Sequence, residues 1–168
     1  MKNHRCMAAL LGLVIAAGTG QAKAGSLRDD CPGVWVAFQM MPEAPGDVGV
    51  PLPDGAAFFG GNPGGKVRVN QDSYTQLPMA RFLVRLSVEE ATAFYRKRLG
   101  SEWQQGDLFG IPVFLRRADI PKDGNLRNVL LSKPGARPSV MLSEAEGDDC
   151  PQQVLKGART MIEIVFEK

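Results

Sequence analysis

Between Met79 and Leu86 the apolar positions alternate: Phe82, Val84 and Leu86 fall on one side, Arg81, Leu83 and Arg85 on the other. That is the period of a strand. At Ser87 the period changes. Val88, Ala91, Phe94, Tyr95 and Leu99 share one helical face. Ser87-Val88-Glu89-Glu90 has the spacing of a capping box, in which hydroxyl and carboxylate each satisfy the other residue's amide. Glu89 and Glu90 suit the positive end of that helix, and Arg96, Lys97 and Arg98 its negative end. Gly100 is placed to end it in a left-handed conformation.

The same periods predict the other elements. Val34, Val36, Phe38 and Met40 mark a first strand over 34–40. Residues 41–78 hold six prolines and seven glycines and read as a long irregular connection, with a short strand at Val67–Asn70. Gln105-Gly106-Asp107 reads as a turn, and Ile111–Arg117 as a strand close to an edge, because Pro112 cannot donate to a ladder. Leu126–Ser132 and Ser139–Glu144 read as two more strands, joined through Pro134-Gly135. Residues 148–157 admit one helical turn after Pro151. In the last strand, Thr160–Glu167, Ile162, Ile164 and Phe166 face inward. The expected fold is α+β: a mainly antiparallel sheet of about five or six strands with one long helix packed on one face. Two details follow. Leu83 opposite Val165 would set Arg81 against Glu167 and Arg85 against Glu163. Trp103, just past the helix, should fold back on Tyr95 or Leu99.

Some of these residues form a pattern seen elsewhere. Leu52-Pro53-Asp54-Gly55-Ala56, the strand Phe82–Leu86, Ser87–Glu90, Phe94-Tyr95, Leu99 and Trp103 together resemble small α+β domains of bacterial envelope proteins and lipoproteins. The matching positions cover roughly a third of the exported chain and are mostly packing residues. The resemblance implies a fold and a compartment; most such domains have no assigned activity.

The N-terminus supports that compartment. Lys2 and Arg5 precede a short apolar run, Ala8–Ala17, and Ala22-Lys23-Ala24 fits the small-x-small rule for cleavage. Residues 1–24 are therefore read as a signal peptide cleaved near Ala24, giving a periplasmic or secreted protein. Ten apolar residues are too few to span a bilayer, and no later segment of the mature chain is long and apolar enough to cross one. Residues 25–168 are expected to form a single α+β domain carrying the long 41–78 loop. Cleavage also changes the charge. The full chain carries +2, but without Lys2, Arg5 and Lys23 there remain 17 basic against 18 acidic residues, net −1. That balance speaks against nucleic acid as a partner.

Two cysteines remain after cleavage, Cys31 and Cys150. In an oxidising compartment an even count points to a disulfide. Each lies in the tetrapeptide Asp-Asp-Cys-Pro, so the bridge would gather Asp29, Asp30, Asp148 and Asp149. Four carboxylates suit calcium, but no recognised calcium loop surrounds them; the plainer reading is four solvated acids.

The catalytic inventory is short. The one histidine, His4, lies in the signal peptide. The mature sequence thereby lacks Ser-His and Cys-His nucleophile pairs, histidine acid–base catalysis and histidine-ligated zinc. Gly60-Gly61-Asn62-Pro63-Gly64-Gly65-Lys66 fits the opening of a phosphate loop, but Val67 stands where Ser or Thr should hold magnesium, and a strand follows instead of a helix. Met40, Met41, Met79, Met141 and Met161 read as core filling and not as a copper site. Arg81, Arg85, Arg96, Lys97, Arg98, Arg116 and Arg117 read as a solvated face with acidic partners, an anion-binding surface being the sharper alternative. Phe58, Phe59, Tyr74 and Phe109 sit in glycine-rich settings, where they pin loops or line a groove. Phe58, Phe59, Tyr74, Arg116 and Arg117 are the candidate binding surface. No cofactor is implied. The reading that results is an exported, soluble, non-catalytic envelope protein serving as a binding or assembly-accessory domain for an extracytoplasmic partner. The alternatives are a carboxylate-based hydrolase acting on a glycan, which needs no local motif, and a secreted inhibitor presenting a rigid loop.

Overall fold

The computed structural model describes residues 41, 43–69, 72–122, 124–145 and 149–167. The segment expected to be a signal peptide (1–24), the strand expected at 34–40, Cys31, Asp29, Asp30 and Asp148 lie outside the described residues, as does the side chain of Asp149.

The fold is α+β. Six strands form one antiparallel sheet in the order β1 (Ala57–Asn62), β4 (Met79–Val84), β8 (Thr160–Val165), β7 (Ser139–Glu144), β6 (Ile111–Arg116) and β5 (Trp103–Leu108). β2 (Gly65–Val69) and β3 (Asp72–Gln76) pair separately as a hairpin. Three short α-helices, α1 (Val88–Arg98), α2 (Leu126–Ser132) and α3 (Asp149–Val154), and one 3-10 turn at Arg117–Asp119 complete the described elements.

Strand alternation builds two packed faces. On the first, Phe114, Val140, Ile164 and Ala80 stand in register across four strands, and Leu142, Ile162, Phe82 and Phe58 form the next row. Over these rows lie Ala91 and Tyr95 of α1 and the segment that carries Met41, Val48, Val50 and Leu52. The second face is covered in two places. Leu83, Ala145, Leu155 and Ala158 pack with α3, while Leu108, Val113 and Leu115 pack with Leu126 and Leu130 of α2. The expectation of one long helix on one face is thereby corrected. α1 has 11 residues, and both faces are covered. Leu83, read as the outer side of its strand, is fully buried there.

The start of α1 follows its sequence. Ser87 Oγ accepts from the Glu90 amide at 3.2 Å, and the Ser87 amide donates to Glu90 Oε2 at 2.7 Å. The end differs: Leu99 closes the helix in extended backbone, and Gly100 stays out of the left-handed region.

Three further expectations change, each for a local reason. Residues 41–78 hold β1, β2 and β3 and are not an irregular loop. Glycine there serves close approach: a Cβ on Gly61 would lie 2.5 Å from the Met79 carbonyl oxygen. Gln105-Gly106-Asp107 is interior to β5, and Gly106 leaves room for Leu126, whose Cδ1 would stand 2.0 Å from an added Cβ. Leu126–Ser132 is helical. Asn125 Oδ1 caps it by accepting from the Asn128 amide at 3.1 Å, and Leu126 and Leu130 lie one turn apart facing the sheet. Seven residues are too few for periodicity to tell strand from helix. With that strand gone, Pro134-Gly135 joins α2 to β7, and the Leu77 amide donates to the Gly135 carbonyl at 2.8 Å.

β4 and β8 do pair antiparallel, four residues out of the expected register. Arg81 faces Glu163 and Leu83 faces Met161. An even slip keeps every side chain on its own face. Backbone ties at both ends set the register: Arg159 N–H donates to Val84 O at 2.9 Å, and Phe166 N–H to Pro78 O at 3.0 Å.

Candidate binding surface

β5 is an edge strand, and its residues Trp103 and Gln105 face the side covered by α1. Trp103 is partly buried against the main core. It separates two small clefts. One, of about 140 Å³, runs between the second half of α1 and β5, over Tyr95, Arg96, Leu99, Gln105 and Phe114. The other, of about 40 Å³, is bounded by Val48, Val50, Arg116, Pro138 and Phe166. Trp103 packs against the core cluster that includes Tyr95 and shares the first cleft with Tyr95 and Leu99, but it is half-buried and not mostly buried as expected.

Two arginines frame this indole. Arg116 stands opposite Trp103 in register, its guanidinium 5.8 Å from the ring centroid, while its Nη1 donates to Glu167 Oε2 at 2.7 Å. Arg96, on the exposed side of α1, donates from Nε to Gln105 Oε1 at 2.5 Å. Each cation is thus held in position without being buried. Below them Tyr95 is fully buried, in ring contact with Phe94 and Phe114, and its hydroxyl has no hydrogen-bond partner among the described residues. Burial pushes its phenol well above the ordinary tyrosine range.

The other sequence candidates are dispersed. Phe58 stacks edge-on with Phe82 on the first face, and Phe59 packs on the second. Tyr74 belongs to the β2–β3 hairpin, where its hydroxyl donates to Pro134 O at 3.0 Å. Arg117 points away from Arg116: its Nε donates to Ser101 O at 2.8 Å and its Nη1 to Gln104 Oε1 at 3.1 Å, clamping the turn before β5. The five do not form one surface; Arg116 alone of them reaches the Trp103 clefts. The wider basic cluster is also divided, since Arg81 pairs with Glu163 at 2.6 Å and Arg85 donates to Lys156 O at 3.0 Å. The phosphate-loop match spans β1 and β2, with no helix after Lys66.

Two side chains escaped the sequence reading. Gln105 was assigned to a turn. Leu131 was assigned to a strand, yet it is exposed on α2. Cys150, at the start of α3, is almost fully buried. Among the described residues no three His, Cys, Asp or Glu side chains gather as a metal site, and no helix is long and apolar enough to cross a membrane. No family model, no curated protein and no solved structure matches this chain.

Proposed function

We propose that this chain is an exported, non-catalytic domain of the bacterial envelope that binds an extracytoplasmic protein, or assists its assembly, through the surface around Trp103. One observation carries the reading: a part-exposed tryptophan stands between two clefts at a sheet edge, framed by two pre-positioned arginines. Tryptophan and arginine are the side chains most enriched where binding energy concentrates. An arginine whose rotamer is already fixed loses less freedom on binding. The lack of histidine after residue 24 supports a binding role over acid–base chemistry.

Export is part of the same proposal, with cleavage near Ala24 and a Cys31–Cys150 bridge closing most of the mature chain into one loop. Such a bridge is worth about 4–5 kcal/mol in the chain-entropy model. Non-reducing mass spectrometry of the exported protein should find no free thiol and an N-terminus at Gly25.

The binding claim is tested by affinity retention from solubilised envelope. Wild type should retain a discrete protein that Arg96→Glu loses and Lys66→Glu, on the separate β2–β3 hairpin, keeps. Equal retention by all three, with unchanged folding, would refute the assignment of this surface.

A further inference from the structure

The two large apolar side chains most exposed among the described residues are Phe109, at 63%, and Leu131, at 53%. They are far apart in sequence but joined in space through Arg127. Its guanidinium lies over the Phe109 ring, 3.9 Å from the centroid, and Leu131 follows Arg127 by four residues on the same side of α2. The result is a stripe: aromatic, cation, aliphatic.

Neither local structure nor the core selects Phe109. It occupies the two-residue connection of the β5–β6 hairpin, where Phe109 and Gly110 have φ of +57° and +86°. That pattern suits Asn-Gly or Gly-Gly and penalises a bulky side chain. Residues held in such conformations against their preference cluster at contact sites. The nearby charges lean one way. α2 contains no acid; in sequence Lys122 and Asp123 precede it and Lys133 follows it. Among the described residues of neighbouring elements, Asp119 pairs with Arg137 at 3.3 Å, and Asp107 accepts from the Gly110 amide at 2.9 Å.

We propose that this stripe docks the protein on an anionic lipid surface, with Phe109 and Leu131 entering the boundary between headgroups and chains and Arg127 meeting the phosphates. Apolar side chains interleaved with cations are the composition of interfacial anchors, in which the cation stem lies along the apolar layer and its head stays at the phosphate level. Basic residues beside the anchor add attraction to anionic headgroups. A lipid surface also receives a hairpin tip without a matching pocket, so it fits the stripe better than a folded protein does.

The test is co-sedimentation of the exported protein, purified with one N-terminus for wild type and variants, with vesicles of equimolar phosphatidylglycerol and phosphatidylcholine, against vesicles of phosphatidylcholine alone. Wild type should bind the anionic vesicles, and added salt should release it. Phe109→Gly, which relaxes the turn, and Leu131→Gln should each weaken binding by about tenfold or more, the weight of one inserted apolar side chain. Arg127→Gln should weaken binding to anionic vesicles only. No binding by wild type, equal binding to both vesicle types, or full binding by a folded Phe109→Gly variant would overturn the proposal. Stripe-dependent capture of a soluble protein without vesicle binding would overturn it in favour of a protein partner.

Discussion

Reversing the Arg81–Glu163 ion pair tests the pairing of β4 and β8 most sharply. The pair spans the second face of the sheet at 2.6 Å, with side chains 24% and 17% exposed. Exposed pairs contribute about 0–1 kcal/mol. Breaking a fully buried pair costs about 3–5 kcal/mol, because one charge is left unmatched. Partial exposure places this pair between those limits, so Glu163→Gln should cost about 2 kcal/mol. Arg81→Glu, which sets two carboxylates side by side, should cost more, about 3 kcal/mol by the same reasoning. The double reversal, Arg81→Glu with Glu163→Arg, restores the attraction and should recover most of the loss. Glu167→Gln removes only the exposed pair with Arg116 and should cost under about 1 kcal/mol. Urea unfolding of the five proteins, read as midpoints at constant slope, gives these values. If Glu167→Gln costs as much as Glu163→Gln, or the double reversal recovers nothing, the register is wrong. The slipped register, with Arg81 facing Glu167, would then be the better description.

Two further substitutions probe the helix over that sheet. Tyr95→Phe removes a buried hydroxyl that has no partner among the described residues, and should leave stability unchanged or raise it by about 1–2 kcal/mol in urea unfolding; a loss of that size would mean that the hydroxyl is satisfied in solution. Glu90 is held below the ordinary carboxylate range chiefly by the hydrogen bond from the Ser87 amide, so its share of stability is complete above the unfolded value of 4.5 and falls away as pH drops through the lower folded value. Glu90→Gln should flatten that part of the acid limb in a melting-temperature profile, whereas an identical acid limb would leave the capping box without a role.

How far the sequence could be read depended on how much local chemistry each element carries. The α1 start was legible because cap, charge order and apolar face agree over a dozen positions. β7 was found at its observed bounds because Val140 and Leu142 alternate cleanly and proline precedes them. Glycine misled twice. Gly61 and Gly106 lie inside strands, where each makes room for a group from elsewhere in the chain, and such approach leaves no local trace. α2 was lost because Leu-Arg-Asn-Val-Leu-Leu-Ser fits either period. The register failed for a related reason: cross-strand charges add only about 0.2–1 kcal/mol each, and the backbone ties at Arg159 and Phe166 are invisible in a list of side chains. Trp103 was placed against its helix, but its arginine frame needed the pairing of β5 with β6, which the supposed turn at Gly106 had hidden.

The proposed binding role turns on whether something occupies the Trp103 surface in the cell. A photo-crosslinking amino acid at Ser101, exposed in the turn just before Trp103, reports contacts there without removing the indole or either arginine. The same probe at Lys66 on β2 serves as the comparison. Irradiation of intact cells exporting each variant, followed by immunoblotting, should give a discrete higher-mass adduct from position 101 and none from position 66, with the adduct lost when Arg96→Glu is added. No adduct at position 101, or the same adduct from both positions, would contradict a binding surface around Trp103.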